Sequence, residues 1–224
     1  MIFSKSKIAI LVFFIISLIF VSYNYFDKEV ALYFIAHKET FKPIGKFLSI
    51  FGESQWYIGT GVLGFLYFKY KKPNELYKNR FLFLFYINVF SGLISILLKL
   101  FFGRIRPKGL KYEDTEYGFL LFKNFDLGFV EKMKVHFTTL FHSPSTYSSF
   151  PSGHTVTIFA TVMYLYLLFP KYTYLWLSLG LVFASGRILA ADHFVSDVLA
   201  GMLVGSLSTL YIYQNMKNKV EKYS

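Results

Sequence analysis

The chain has 224 residues, which suits a single domain, and 54% of them are hydrophobic and 21% aromatic, with 28 Phe and 18 Tyr, well above the usage of a soluble domain. A formal charge of +11 would point to nucleic acid in a soluble protein, but here the Lys and Arg stand mainly between long apolar runs, where anionic lipid headgroups are the natural partner. Cysteine is absent, which excludes a disulfide framework and a thiolate metal site.

Residues 8–26 carry no charged side chain before Asp27 and follow Lys5 and Lys7, so they predict a first spanning helix. The apolar core is long for a cleavable signal and VSYNYFDKEVA offers no convincing small-residue cleavage site, so the helix is read as retained. Residues 27–53 mix Lys28, Lys38, Lys42 and Lys46 with Phe34, Phe41, Ile44 and Phe47, the pattern of an amphipathic segment at headgroup level. A short second span follows at about 55–69, flanked by Trp56 and Tyr57 as interfacial anchors and closed by a basic loop with Lys69, Lys71, Lys72, Lys78 and Arg80.

The third run, 81–98, leads into a polar or mixed connection over 103–152, read as an ordered loop or small extramembrane cap. Three further runs follow, at about 154–169, 172–191 and 194–214, before a basic tail. The expectation is an all-α integral membrane protein: six helices in one bundle, a single domain over 1–224, and both termini on the cytoplasmic side, because the short 69–80 loop and both tails are basic.

In that topology three polar clusters fall at one membrane face: Lys99 with Arg106-Pro107, then Pro151-Ser152-Gly153-His154, then Arg187, His193 and Asp197. Taken singly, Lys99 and Arg106 could be snorkelling interfacial residues, and Pro-Ser-Gly-His an ordinary helix start. The third cluster resists that reading, since Arg or Asp at the centre of a spanning helix costs roughly 2.5–3.5 kcal/mol.

Together the clusters make sense as chemistry. Three cations can grip phosphate oxygens, and Ser152 with the N–H groups of Ser152 and Gly153 stands at a helix N-terminus, which favours an anion. His193 and Asp197 are four apart, so the carboxylate can orient the imidazole and leave its other nitrogen as a nucleophile. His154, from another helix, is placed to act as general acid. No acidic cluster has magnesium-ligand spacing, so neither a metal nor another cofactor is expected. His37, His136 and His142 lack partners at recognisable spacing and are read as ordinary interfacial or loop residues.

The ordered pattern Lys-x6-Arg-Pro, Pro-Ser-Gly-His and Arg-x5-His-x3-Asp, carried by Lys99 to Asp197, resembles the type 2 phosphatidic acid phosphatase (PAP2) superfamily. The resemblance implies a six-helix bundle in which a phosphohistidine forms on His193, Asp197 orients it, and His154 protonates the leaving group. It implies that Lys99, Arg106, Ser152, Gly153 and Arg187 hold the phosphate. One departure is Gly186, where the family usually has Ser.

The implied activity is metal-independent hydrolysis of a lipid phosphomonoester or pyrophosphate at the periplasmic face of a bacterial inner membrane. Lipid A 1-phosphate, undecaprenyl pyrophosphate, phosphatidylglycerol phosphate and phosphatidic acid are the candidate substrates, with a lean toward the first. A lipid phosphotransferase using the same phosphohistidine, and a non-enzymatic phospholipid-binding or transport protein, are the alternatives. Vanadium haloperoxidases share the motifs but are soluble, which six apolar runs oppose.

Overall fold

The computed structural model describes residues 4–111, 117–123 and 127–221, and the remainder of the 103–152 connection lies outside the described residues. All regular structure among them is helical, apart from one isolated antiparallel bridge between Arg104 and Phe119. The α-helices are α1 (Lys5–Tyr25), α2 (Asp27–Ala36), α3 (Lys38–Ser49), α4 (Ser54–Leu66), α5 (Glu75–Phe102), α6 (Phe129–His142), α7 (Pro144–Tyr147), α8 (Gly153–Leu168), α9 (Thr173–Leu189) and α10 (Val195–Val220).

Three of these, α1, α5 and α10, are long and apolar enough to cross a membrane. The apolar α8 has 16 residues, about 24 Å of helix, against a hydrocarbon core of about 30 Å. The 17-residue α9 and the 13-residue α4, which continues through a π-helical turn to Lys71, are similarly short. Much of the outer surface is apolar: Phe13, Phe20, Leu63, Phe141 and Tyr174 are each more than two-thirds exposed, the distribution a lipid environment favours over water.

The centre of the molecule is the packing of α8 against α10 and α5. Phe83 and Ile87 of α5, Ala160 and Tyr164 of α8, and Tyr213 and Met216 of α10 form one buried cluster. The α8–α10 crossing is close because Gly201 and Gly205 face the α8 backbone. A methyl group at Gly205 would stand 2.3 Å from the Val156 carbonyl oxygen, so the backbones touch where a larger residue would separate them.

The segment read as lying at headgroup level divides into α2 and α3, and α3 packs tightly on α9. Gly45 and Gly186 meet face to face: a Cβ at Gly186 would fall 2.7 Å from Leu48 Cβ and 2.8 Å from the Gly45 carbonyl oxygen. That contact gives the unexpected glycine its physical reason, since a serine there would push the two helices apart.

Candidate active site

The site is assembled where α5 ends and where α8 and α10 begin. Helix α5 stops at Gly103 in the left-handed conformation (φ 57°), whose N–H donates to the Lys99 carbonyl. Glycine takes that conformation without steric cost, so the chain leaves the helix directly into the segment that carries Arg104 and Arg106. On that piece Arg104 is fully buried, and the Arg106 guanidinium donates through Nη2 to Ser148 Oγ at 3.2 Å.

Helix α8 begins at Gly153 with Ser152 as its N-cap. The Ser152 N–H donates to the backbone carbonyl of Asp197 at 3.0 Å, so this N–H is spent on joining α8 to α10 and is not free for an anion, as the sequence had suggested. The Ser152 hydroxyl accepts from Thr155 Oγ1 at 3.0 Å. Gly153 faces Lys99: a methyl group there would lie 3.6 Å from Lys99 Nζ and 3.8 Å from Ser95 Oγ. A cavity of about 430 Å³ reaches Lys99, Gly153 and His154 together.

The turn from α9 to α10 holds the third cluster. Both the Asp192 and His193 N–H groups donate to the Arg187 carbonyl, at 3.1 and 3.2 Å, and Ala191 just before them adopts φ 53°, a left-handed conformation that costs a side chain roughly 1–3 kcal/mol. The Asp197 carboxylate caps α10 by accepting the Phe194 N–H at Oδ2, 2.9 Å, which favours an acid in the first turn.

His193 and Asp197 do meet, although less directly than their spacing suggests. Nδ1 of His193 is 3.6 Å from Asp197 Oδ2, beyond good hydrogen-bond length. The Ser149 hydroxyl stands between them, donating to Asp197 Oδ2 at 2.5 Å and lying 3.4 Å from His193 Nδ1. Burial pushes the His193 imidazole down to about 3; Asp197 pulls it upward, and Arg187 and Lys99 push it further down. The ring is therefore neutral at ordinary pH, and both cations act on it.

Four groups at the site are not singled out by the sequence: Arg104, Asp27, Asp192 and Ser149. Arg104 donates through Nη1 to Asp197 Oδ1 at 2.5 Å and to Ser196 Oγ at 2.6 Å, and through Nη2 to Asp27 Oδ2 and Tyr117 Oη, both at 2.7 Å. Asp27, fully buried at the joint of α1 and α2, also accepts from Ser22 Oγ at 2.7 Å, from the Ser196 N–H at 3.0 Å, and from the Ser196 hydroxyl. Asp192 accepts from Lys46 of α3 at 2.8 Å and pairs with Arg187 at 3.1 Å. Burial would raise the Asp192 carboxyl, but Arg187 and Lys46 outweigh it and hold it below the usual range. Ser149 also went unread, although it lies only two residues before Pro151. A charged residue at the end of an apolar run needs a partner, and Asp27 after the first run and Arg104 after the third carry that signal, though not where the partner lies.

The cations keep donors in reserve. The buried Nε of Arg106 and of Arg187 has no partner among the described residues. Among the described residues no group of three or more His, Asp or Glu side chains stands close enough to hold a metal. The three histidines outside the motifs make local contacts: His37 with the Tyr33 carbonyl and His142 with the Thr138 carbonyl. His136 is more than an interfacial residue, being buried with Nε2 2.9 Å from the Leu100 carbonyl, which pins α6 to the end of α5.

Fold and site together define a helical membrane protein with two histidines and three cations gathered at the ends of its helices. The PAP2 superfamily model matches residues 80–221, and the chain belongs to that superfamily. It is 32% identical over 179 residues to the lipid A 1-phosphatase of Rhizobium johnstonii, which covers 75% of this chain and 65% of that protein. It is 32% identical over 185 residues to the lipid A 1-phosphatase of Rhizobium etli, covering 77% of this chain and 71% of the relative. A shorter similarity, 38% over 66 residues, links it to a bacitracin transport permease protein of Bacillus licheniformis, covering 30% and 32%. The chain thus spans about two thirds of the length of the two phosphatases. No solved structure matches it.

Proposed function

We propose that the chain is a lipid phosphatase that works through a phosphohistidine on His193 without a metal. The observation that carries this reading is the setting of His193: Nδ1 faces Ser149 and Asp197, the ring is neutral, and Lys99 and Arg187 act on it from the phosphate side. A hydrogen on Nδ1 directed at the Ser149–Asp197 pair leaves the Nε2 lone pair for the phosphorus.

In the reaction so read, Lys99, Arg106, Arg187, the Ser152 hydroxyl and the Gly153 N–H hold the phosphate oxygens and stabilise the charge that spreads over them. Nε2 of His193 forms the N–P bond as the P–O bond to the lipid breaks, and His154 gives its proton to the leaving oxygen. A water then displaces the histidine, with His154 taking that water's proton. Substrate phosphate would compete with Asp192 for Arg187, which pairs with that acid at 3.1 Å.

The substrate is a phosphorylated membrane lipid. Among lipid A 1-phosphate, undecaprenyl pyrophosphate and phosphatidylglycerol phosphate, the similarity to two lipid A 1-phosphatases favours the first. We place the chain in a bacterial inner membrane as one domain over 1–224, with the motif core at 99–197. In this arrangement α4, α8 and α9 cross along with α1, α5 and α10, and the site faces the periplasm. The test is phosphate release from a lipid panel by the detergent-purified protein in EDTA, comparing wild type with His193→Ala. Turnover abolished by the substitution supports the reading. Turnover that survives it, or that needs added magnesium, overturns it, and labelled phosphate arriving in a second lipid would make the chain a phosphotransferase.

A further inference from the structure

The turn between α9 and α10 carries an acid to which the phosphatase chemistry gives no part. Asp192 directly precedes His193, and one of its oxygens, Oδ2, faces two cations: Lys46 Nζ of α3 at 2.8 Å and Arg187 Nη2 at 3.1 Å. The turn itself is fixed, because the N–H groups of Asp192 and His193 both donate to the Arg187 carbonyl. Lys46 is brought to it by the seat of α3. A Cβ at Gly45 would stand 2.5 Å from the Ala190 nitrogen and 2.6 Å from the Gly186 carbonyl oxygen, so α3 lies directly on the end of α9 and the next residue reaches the turn. The two cations differ in exposure: the Arg187 side chain is 6% exposed and that of Lys46 53%. Arg187 also keeps a buried Nε without a partner among the described residues. One cation therefore belongs to the interior of the site and the other to its rim, with Asp192 between them.

We infer, resting on the assignment of Arg187 to the phosphate, that Asp192 is an internal stand-in for the substrate anion and that Lys46 is the latch that takes it when phosphate arrives. Arginine holds carboxylate and phosphate oxygens with the same donors, so Asp192 occupies in the empty site a place that phosphate needs. It has a use there, since a buried guanidinium left without a counter-ion is strongly destabilising. The cost is competition, because a carboxylate beside the phosphate position opposes an incoming anion. Lys46 resolves the conflict. When Arg187 turns to the phosphate, Asp192 stays paired through Lys46 Nζ, already at 2.8 Å, and neither charge is stranded. When the product leaves, the carboxylate returns to Arg187 and favours the release. Lys46 touches no phosphate in this scheme; it is a positioning residue that acts through Asp192, and the two together set how tightly the site holds its anion.

Inorganic phosphate is the probe, titrated calorimetrically onto the full chain in detergent, because its binding requires no turnover. Asp192→Asn keeps the shape and removes the competing charge, and phosphate should bind it about tenfold more tightly than wild type. Lys46→Ala should weaken phosphate about fivefold, the upper end for an exposed ion pair, and Lys46→Arg should restore most of the loss. The double variant decides between a latch and a direct contact. With Asp192→Asn in place the latch has no charge to hold, so adding Lys46→Ala should change phosphate affinity by less than about twofold. An equal loss in both backgrounds would mean that Lys46 grips phosphate itself, and overturns the latch. Phosphate bound no more tightly by Asp192→Asn than by wild type overturns the stand-in. In turnover of a phosphorylated lipid, the effect of Lys46→Ala should fall on KM; a loss confined to kcat overturns the scheme. If no lipid is hydrolysed but phosphate binding follows this pattern, the phosphatase reading fails and the latch stands.

Discussion

The two histidines sit in contrasting surroundings. His193 is enclosed: it packs beside a fully buried acid whose oxygens are taken by Arg104, Ser149 and the Phe194 N–H, and Arg104 reaches on to Asp27 and Tyr117. His154 opens onto a cavity lined also by Gly52, Glu53, Ser54 and Gln55 around the start of α4 and by Gly92, Ser95 and Ile96 of α5. In the proposed reaction His193 is the nucleophile, which must be held in one tautomer and one direction, as a dense network of charges and hydrogen bonds achieves. His154 is there the acid on the leaving side, where space is needed for what departs. The region that fixes orientation is also the one that ties the molecule together, since Arg104 joins the α1–α2 joint to the start of α10.

The most severe way to break the enclosed side is Arg104→Ala. It strands Asp27 and Asp197, both 0% exposed, without their shared cation. Removing one member of a buried ionic cluster costs about 3–5 kcal/mol, so we expect a large drop in Tm in detergent and no turnover. Arg104→Lys, which keeps the charge but can no longer donate along two parallel directions, should recover part of the stability. Replacing both acids along with Arg104 by apolar residues of similar volume should fold better than Arg104→Ala alone, which comparing the Tm of the triple variant with that of Arg104→Ala would check.

A smaller effect is expected where α3 meets α9. Gly186→Ser restores the residue usual in the family, yet its Cβ would meet Leu48 and the Gly45 carbonyl at under 3 Å. Overpacking of this kind costs roughly 1–3 kcal/mol. We expect a lowered Tm and a lowered apparent affinity for substrate, because a displaced α3 carries Lys46 away from Asp192. A variant as stable as wild type would show that α3 can shift without loss.

The site was more legible in the sequence than the fold around it, and the reason is chemical. Lys99, Arg106, Ser152, Gly153, His154, Arg187, His193 and Asp197 stood out because polar residues at fixed spacings interrupt apolar runs, and the structure gathers them at the same helix ends. Arg104 is hidden in the sequence because Arg106, two residues on, satisfies the motif; only the structure shows that the two have different partners, Asp27 and Asp197 for Arg104 and Ser148 for Arg106. Asp27 was absorbed into an amphipathic segment, since nothing in its neighbourhood announces a partner 77 residues away. The apolar runs located α1, α5 and α10 well, but hydropathy could not foresee that α3 buries a glycine face against α9. Nor could it foresee that the Ser152 N–H is consumed by Asp197, a contact between residues far apart in sequence.

Ser149 sharpens the comparison because it serves orientation with little bearing on packing. Ser149→Ala removes the hydroxyl between His193 Nδ1 and Asp197 while leaving Arg104 and the Phe194 N–H on the carboxylate. A hydrogen bond to a charged group contributes about 1.5–3 kcal/mol, which in a rate is roughly ten- to a hundredfold. We expect kcat to fall by that factor with KM little changed, and Ser149→Thr, where its methyl is accommodated, to restore part of it. A fall in KM-dependent binding with unaltered kcat would show that Ser149 serves the substrate instead.

The mildest test uses pH alone. Burial holds the His193 imidazole down at about 3 in the folded protein, whereas in the unfolded chain it returns to the ordinary value of about 6.5. Below that value the unfolded state takes up a proton that the folded state refuses, so stability falls as pH drops from about 6.5 toward 3, and above 6.5 the group contributes no slope. Between pH 7.5 and 5.5 the loss from this residue is about 1.4 kcal/mol. The measurement is the difference in Tm between those two pH values for wild type and for His193→Gln, which has no ring to titrate. Wild type should lose more than the variant. An equal loss in both would mean that the folded site accepts the proton, and that the enclosure around His193 is looser than the network of Arg104, Ser149 and Asp197 implies.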